Sequence, residues 1–472
     1  MPVNVSFLQD LLSSIADQGR QYLPASLVGR SREDIVALSN ALVSSRGEAS
    51  GVAIAQRILD LYRAMGAEER RSFFRYLAEH FQPDAAKVGE AARGYLADPS
   101  EAALLRLRAA VESPRQEFFR RLNFAPGATA ELVSMRRDML RMPKSESGFA
   151  AIEADLAHLF ASWFNRGFLV LRRIDWQTPA AILEKIIAYE AVHEIQSWED
   201  LRRRLEPADR RCFAFFHPSL VDEPLIFVEV ALTGDIPGSI QSVLNERPKP
   251  PGSEPAPTTA VFYSISNCQE GLRGISFGNF LIKQVVEELV REAPQLRTFV
   301  TLSPAPTFAR WLDRALADDG DGIATEADRV ALQMLRDPSW LEDPEEAESL
   351  KGTLMALAAH YFLLAKSADG RPVDPVARFH LGNGARLERI NWLGDVSEKG
   401  LREAHGLMVN YRYDLKEIER NHEAYANDGE IAASRGVRSL LRPQGKPRSK
   451  PPLAIADQGR SGETRPRGKA RE

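Results

Sequence analysis

The stretch between residues 258 and 308 constrains the fold of this chain more than any other. It opens with TTAVFYSIS (258–266), a β-branched and aromatic run typical of a mostly buried strand. A glycine-bearing turn (269–278) leads into an amphipathic helix (279–292), and a second strand follows at 298–302. A strand, a glycine turn and a helix in this order are characteristic of phosphate-binding sites, because free N–H groups and the positive end of the helix converge there.

The glycine turn matches neither of the best-known phosphate motifs. No Gly-Lys-Ser/Thr follows it, which excludes a P-loop, and the dinucleotide fingerprint Gly-x-Gly-x-x-Gly is absent. The spacing Arg273-Gly-x-x-x-Gly278 approaches the pyrophosphate loop of the acetyltransferase-like fold, which binds coenzyme A. From the spacing alone, an ordinary tight turn into a helix is an equal alternative.

Three regions follow from the pattern of the chain. Residues 1–165 read as one helix after another, which predicts an all-helical domain suited to packing or subunit association. Residues 166–436 alternate strands and helices, which predicts a mixed α/β catalytic domain. Residues 437–472 are rich in proline, glycine and arginine, which predicts a disordered basic tail. The predicted fold class is therefore α+β.

Two polar residues stand where a scaffold presents side chains accurately. Ser303 follows the strand at 298–302 in a stiff Pro-Ala-Pro loop, although from position alone the N-cap of the next helix is the more common role. His380 ends the run VARFH (376–380), which has the composition of a strand, and taken alone such a residue is more often a hydrogen-bonded structural histidine. Tyr413 ends another strand-like run, and by default it is a packing residue.

Composition excludes several classes of protein. The net charge of −4 gives no reason to expect nucleic acid as a partner. The two cysteines, Cys212 and Cys268, have no metal-ligand spacing and no HExxH motif exists, so no metal site is expected. No signal peptide is evident, and the longest apolar run, 354–365, is too short to span a bilayer. We therefore expect a cytoplasmic protein with no membrane partner.

Two further stretches predict local structure only. The run DDGDG (318–322) does not place a ligand at the first position of a calcium loop, so a solvated acidic turn is expected. The run RGEASG (46–51) predicts a turn between helices, and Pro114 is expected to close the helix that precedes it.

A series of motifs in one order resembles the malonyl-CoA decarboxylases. The likeness extends over most of residues 30–415, and many medium-length matches in one order make it far more specific than any single motif. The motifs are RGEASG (46–51), FHPSLVDEPL (216–225), ALTGDI (231–236), FYSIS (262–266), FLIK (280–283), LSPAP (302–306), FHLGNGA (379–385), INW (390–392) and NYRY (410–413).

The resemblance implies a fold and an activity. It implies a helical domain used for oligomer contacts, hence a homo-oligomer, followed by a catalytic domain of acetyltransferase-like fold. It implies conversion of malonyl-CoA to acetyl-CoA and CO2 without a metal or organic cofactor, coenzyme A entering as part of the substrate.

The resemblance also implies roles for particular residues. The family's active-site serine, histidine and tyrosine match Ser303, His380 and Tyr413. One departure is that this chain has Ser276 where many members have glutamate, so a role for that carboxylate does not carry over. The turn that contacts coenzyme A matches Arg273, Gly274, Ile275, Ser276, Phe277, Gly278 and Asn279.

The chemistry of such a reaction fits this set of residues. Loss of CO2 from a malonyl thioester leaves negative charge at C2 that spreads onto the thioester oxygen, so the substrate is its own electron sink. The protein must orient the carboxylate, place donors near the enolate oxygen and deliver a proton to C2. We expect His380 to bind the carboxylate or donate the proton, and Ser303 to complete the relay; which one protonates C2 is open.

Two rival functions use the same loop. A CoA-dependent N-acyltransferase would need an amine acceptor and a base, whereas a non-catalytic CoA-binding scaffold would bind without turnover. All catalytic expectations require Ser303 and His380 to meet in the folded chain.

Overall fold

The protein is described by a computed structural model that covers residues 13–15, 17–18, 21, 32–44, 47–143, 145–245, 256–275, 281–317 and 323–442. Within the described part up to residue 163, the regular structure is helical, as the sequence predicts. The helices are α1 (Arg32–Val43), α2 (Glu48–Ala64), α3 (Ala67–His80), α4 (Ala85–Ala97), α5 (Glu101–Val111), α6 (Pro114–Leu122), α7 (Ala128–Leu140) and α8 (Phe149–Trp163).

Aromatic side chains hold the helical region together. The ring of Phe118 contacts Phe73, Phe81 and Phe119 with centroids 5.4 to 6.3 Å apart, each pair edge to face. All four rings are almost fully buried. Burial of one such side chain contributes about 1.5–3 kcal/mol, so this cluster is a major part of the core.

One predicted helix boundary in this region is confirmed and another is wrong. The helix before Pro114, α5, ends at Val111 as predicted, and Pro114 itself begins α6, because proline at the first helical position loses no hydrogen bond. The run at 46–51 is predicted as a turn, but α2 begins at Glu48 and therefore includes Ser50 and Gly51. Gly47 is the N-cap of that helix.

The remainder of the described chain is a mixed α/β structure, which confirms the predicted fold class. Its strands are β1 (Val170–Ile174), β2 (Arg210–Phe216), β3 (Pro224–Thr233), β4 (Thr259–Asn267), β5 (Thr298–Thr301), β6 (Ser303–Pro304), β7 (Arg386–Asn391) and β8 (Met408–Arg412). Its helices are α9 (Ala180–Tyr189), α10 (Trp198–Leu205), α11 (Ile240–Leu244), α12 (Leu281–Glu292), α13 (Phe308–Ala317), α14 (Glu326–Leu332), α15 (Pro344–Leu363), α16 (Pro375–Gly382), α17 (Glu398–Ala404), α18 (Ile418–Asp428) and α19 (Arg435–Ser439).

The strands form one sheet in the order β1-β2-β3-β4-β5-β8-β6, and β7 also pairs with β8. Strands β1 to β4 are antiparallel neighbours, whereas β4 and β5 are parallel. The parallel pair is connected through the glycine turn and α12. This strand–turn–helix–strand unit is the one predicted for an acetyltransferase-like domain.

The parallel pair β4–β5 separates towards its carboxyl end. Pairing runs from Thr259 opposite Thr298 to Phe262 opposite Thr301, and the Leu302 N–H still donates to the Phe262 carbonyl at 2.9 Å. The next residue, Ser303, pairs instead with β8. Residues 263–267 of β4 therefore have no strand partner on that side within the described chain. We call this unpaired stretch beside Ser303 the strand gap.

Two further corrections concern the end of the chain. The run at 376–380 is predicted as a strand but lies in α16, so His380 is a helical residue. The predicted tail begins at 437, yet α19 extends to Ser439 and Arg442 forms an ion pair with Asp328. That boundary is therefore too early, and residues 443–472 lie outside the described part. The predicted acidic turn at 318–322 also lies outside it.

The predicted division between the domains, at residues 165 and 166, falls between the end of α8 and the start of β1. The division itself stays a prediction.

Candidate active site

Strand β6 places the Ser303 hydroxyl at the point where β4 and β5 separate. Its neighbour Pro304 and its own backbone pair with Met408 and Val409 of β8, which fixes the direction of the side chain. The Ser303 hydroxyl donates a hydrogen bond to Thr301 Oγ1 at 2.8 Å. Ser303 is 6% exposed, so its hydroxyl is held in a nearly dry environment.

Helix α16 places His380, and a strong N-cap fixes the start of that helix. The Asp374 side chain accepts a hydrogen bond from Ala377 N at 2.8 Å, and Pro375 follows at the first helical position. The Tyr361 hydroxyl donates to the same carboxylate at 2.9 Å. Asp374 is fully buried, and burial raises its pKa to about 6.

The three predicted catalytic residues meet in the folded chain. His380 Nε2 lies 3.0 Å from Ser303 Oγ, and His380 Nδ1 lies 2.8 Å from the Tyr413 hydroxyl. The imidazole also stacks on Tyr411, with ring centroids 4.6 Å apart. Ser303, His380 and Tyr413 therefore form one continuous hydrogen-bonded chain across the end of the sheet.

The protons of this chain can be assigned from its partners. Because the Ser303 hydroxyl donates to Thr301, its oxygen must accept from His380 Nε2–H. Burial lowers the pKa of His380 to about 3, so the ring is neutral at pH 7 and has a single N–H. Nδ1 is then an acceptor, and the Tyr413 hydroxyl donates to it. Burial also raises the pKa of Tyr413 well above its usual value, which keeps the phenol protonated.

A cleft of about 530 Å³ lies beside α16 and is lined by part of the predicted CoA turn. Its lining includes Arg273, Gly274 and Ile275 of that turn, Phe379 of α16 and Asn383, the C-cap residue of α16. Gly274 has a φ of 81°, a conformation that favours glycine. Of the predicted turn, Ser276, Phe277, Gly278 and Asn279 lie outside the described residues.

Three supporting residues were not identified from the sequence. Thr301 accepts hydrogen bonds from the Ser303 hydroxyl and the Tyr411 N–H. Its position two residues before Ser303 indicates that both side chains point to the same face of the sheet. Asp374 before Pro375 is a helix-start signal that was also readable. The stacking of Tyr411 on His380 has no local signal, because it depends on where β8 meets α16.

No group of three or more histidine, cysteine, aspartate or glutamate side chains that could hold a metal ion occurs among the described residues. The helices of the described chain also include none long and apolar enough to cross a membrane.

The structure combines a helical region, a mixed α/β sheet and a buried, hydrogen-bonded serine–histidine–tyrosine chain, a set of side chains typical of an enzyme. Comparison with known families gives the family. Residues 167–451 match the malonyl-CoA decarboxylase C-terminal domain, and residues 81–164 match the malonyl-CoA decarboxylase N-terminal domain. This chain belongs to the malonyl-CoA decarboxylase family.

Relatives and solved structures agree with this assignment. The mitochondrial malonyl-CoA decarboxylase of Rattus norvegicus is 38% identical over 406 residues, which cover 79% of this chain and 82% of the rat protein. The crystal structure of malonyl-CoA decarboxylase from Rhodopseudomonas palustris is 55% identical, with a TM-score of 0.82, and the match covers 87% of this chain and 99% of that one. The corresponding structure from Agrobacterium vitis is 56% identical, with a TM-score of 0.82, covering 87% and 100%. The family favours decarboxylation over the two rival functions.

Proposed function

We propose that this chain converts malonyl-CoA to acetyl-CoA and CO2, with Ser303, His380 and Tyr413 as the catalytic residues. The 3.0 Å contact between Ser303 Oγ and His380 Nε2 is the observation that carries the proposal. His380 follows Phe379, which lines the same cleft as Arg273 to Ile275. The experiment is incubation of the pure protein with malonyl-CoA alone. Acetyl-CoA and CO2 should form in equal amounts, whereas no product without an added amine would favour an N-acyltransferase.

The cleft and the strand gap together suggest how the substrate lies. The pyrophosphate would be held at the glycine turn, where backbone N–H groups and Arg273 can reach it. The pantetheine arm would then follow the side of β4 that no strand covers, towards Ser303. This places the acyl group at the point where β4 and β5 separate, where backbone N–H groups of β4 beyond Phe262 would polarise the thioester carbonyl.

The neutral state of His380 favours a role in proton transfer over a role as a positively charged group that binds the substrate carboxylate. A neutral His380 does not provide a cation for the substrate carboxylate in the free protein. Its Nε2–H can instead pass a proton to Ser303 Oγ as the serine hydroxyl gives its own proton to C2, while Nδ1 takes the proton of the Tyr413 hydroxyl, so that the ring stays neutral. Cleavage of the bond between C2 and the carboxylate releases CO2 and leaves the enolate. The enolate then takes a proton at C2, and solvent restores the proton to the relay.

Replacement of Tyr413 by phenylalanine should lower kcat about tenfold to a hundredfold. The change removes the donor to His380 Nδ1 at 2.8 Å, so the tautomer that presents Nε2–H to Ser303 is no longer fixed. The measurement is steady-state release of acetyl-CoA. Tyr411→Phe is the matched control, since the Tyr411 hydroxyl has no hydrogen-bond partner in the described structure and the ring stays stacked on His380. Equal losses in both variants would contradict a specific role for the Tyr413 hydroxyl.

The proposed reaction requires no metal or organic cofactor, because the thioester itself accepts the charge that decarboxylation leaves. Dialysis of the pure protein against a strong chelator should therefore leave kcat unchanged. A loss of activity that returned with one divalent metal would overturn this part of the proposal.

The helical domain is proposed to make contacts between identical subunits. Helix α4 has no buried residue, and Leu96 at its end is 81% exposed. Leu104 and Leu105 of the adjacent α5 are also largely exposed. A helix pair with so much exposed apolar surface gains stability from a partner. Sedimentation should show an oligomer in the wild type and smaller species for Leu104→Asp/Leu105→Asp; unchanged sedimentation would remove this surface from the contact.

A cytoplasmic location is also part of the proposal. Cys212 and Cys268 are both free and buried, which fits a reducing compartment. Fractionation of the source cells tests it, and recovery of the protein in another compartment would contradict it.

A further inference from the structure

Helix α7 of the helical region packs directly on the short 3-10 helix that opens the CoA turn. That helix spans Glu270–Leu272, immediately before Arg273. A Cβ atom built on Gly271 would lie 1.9 Å from the Val133 carbonyl oxygen of α7, so no side chain fits between them. The contact between the two backbones is therefore as close as packing permits.

Arg136 of α7 is hydrogen-bonded to the turn at two points. Its Nη1 donates to the Gly271 carbonyl at 2.7 Å, and its Nη2 donates to the Arg273 carbonyl at 3.0 Å. Nη2 also contacts Glu153 of α8 at 2.5 Å. Arg136 is 2% exposed, so these bonds form in a dry environment where solvent does not compete with them. The fork of an arginine can hold two carbonyls and a carboxylate at once, which a lysine cannot.

The second of these bonds sets the orientation of the peptide that leads into Gly274. Across a trans peptide the C=O and the following N–H point in opposite directions. With the Arg273 carbonyl drawn towards α7, the Gly274 N–H points away from α7. Gly274 lines the cleft. Its φ of 81° is accessible at low cost because glycine has no side chain.

We propose that Arg136 is a positioning residue for substrate binding, because it fixes the peptide planes of the CoA turn so that the Gly274 N–H is presented to the phosphates of the substrate. This inference rests on the proposed function, in which the turn binds coenzyme A. It gives the helical region a part in binding the substrate as well as in packing.

The test is the kinetics of Arg136→Met with malonyl-CoA. The methionine keeps much of the buried volume but leaves both carbonyls without their donor. We expect KM to rise about tenfold with kcat changed less than about twofold, because the turn contacts the nucleotide end and not the reacting atoms. Arg136→Lys can satisfy one carbonyl, so its KM should fall between those of the wild type and Arg136→Met. If Arg136→Met does not fold, Arg136→Lys decides: a wild-type KM in that variant overturns the inference.

Arg115→Met is the matched control. Arg115 is also a buried arginine of the helical region, 4% exposed and ion-paired with Asp155 at 2.9 Å, but none of its hydrogen bonds involves the turn. A comparable loss of thermal stability in both variants, with a raised KM only in Arg136→Met, supports the inference. A raised KM in both variants, or in neither, overturns it.

Arg273→Ala separates this inference from the proposed function. Arg273 is exposed at the cleft, and loss of its charge should raise KM about tenfold if the turn holds phosphate. An unchanged KM in Arg273→Ala would remove the turn from CoA binding and contradict the proposed site. A raised KM there with an unchanged KM in Arg136→Met would overturn only the positioning role of Arg136.

Discussion

Replacement of Ser303 by alanine is expected to lower kcat for malonyl-CoA decarboxylation by about a hundredfold to a thousandfold. The change removes one oxygen from a nearly dry site and interrupts the hydrogen-bonded chain between Thr301 and His380. Proton transfer by a positioned group contributes about 10²–10⁴ to a rate, and Ser303 is the member of the chain nearest the strand gap. KM should change little, since the CoA turn is untouched.

Ser39→Ala is a suitable control for the serine variant. Ser39 is fully buried in the helical region, where its hydroxyl donates to the Ile35 carbonyl at 2.7 Å. Both variants therefore lose one buried hydroxyl, but only Ser303→Ala removes it from the site. Acetyl-CoA release from malonyl-CoA is the measurement, and a near-wild-type kcat in Ser303→Ala would exclude the serine from the mechanism.

Replacement of His380 by asparagine should lower kcat about a hundredfold to ten-thousandfold. Asparagine can contact Ser303 or Tyr413, but it cannot relay a proton between them at neutral pH. His360→Asn is the control, because His360 is a half-buried histidine that stacks on Trp311, outside the chain of catalytic residues. A modest loss shared by both variants would contradict the relay.

His380 should also make the free energy of unfolding of the wild type depend on pH, and His380→Asn should lack that dependence. The folded-state pKa of His380 is lowered to about 3 from an ordinary value of 6.5, so between these values the unfolded chain binds a proton that the folded chain does not. The contribution of the buried, neutral His380 ring to the free energy of unfolding is therefore fully present above pH 6.5. It is lost as pH falls towards 3, by up to about 1.4 kcal/mol per pH unit. The wild type should lose more free energy of unfolding than His380→Asn between pH 6.5 and pH 4.5. Parallel stability curves would show that His380 is not buried as a neutral ring.

The unit from β4 to β5 was predictable because its signals are local. A β-branched run, a glycine turn and an amphipathic helix each follow from a few neighbouring residues, and α12 ends at Glu292, the predicted last helical residue. The position of Ser303 after β5 follows from the same signals. That this turn contacts coenzyme A came only from the resemblance to a family.

The misassignment of α16 shows where local composition is insufficient. The run at 376–380 contains valine and phenylalanine, which favour a strand, but the helix is specified by its N-cap Asp374 and by Pro375 at its first position. These start signals outweighed the strand propensities of two residues. The consequence matters for the site, because a helix and not a strand end holds His380 against Tyr411.

The meeting of the catalytic residues is a tertiary property. Ser303 lies on β6 and Tyr413 directly follows β8, which brings the two together by pairing with both β5 and β6. No spacing in the chain encodes that pairing. The contact of Arg136 with the CoA turn is likewise unreadable from the sequence, since it joins residues more than a hundred positions apart.

The most direct test of the account is the kcat of the double variant Ser303→Ala/His380→Asn beside those of the single variants. If the two side chains act as one relay, removing the second should cost little once the first is gone, so the double variant should be about as slow as the slower single variant. Multiplied losses would show that the two residues act independently, and the proposed relay would be wrong.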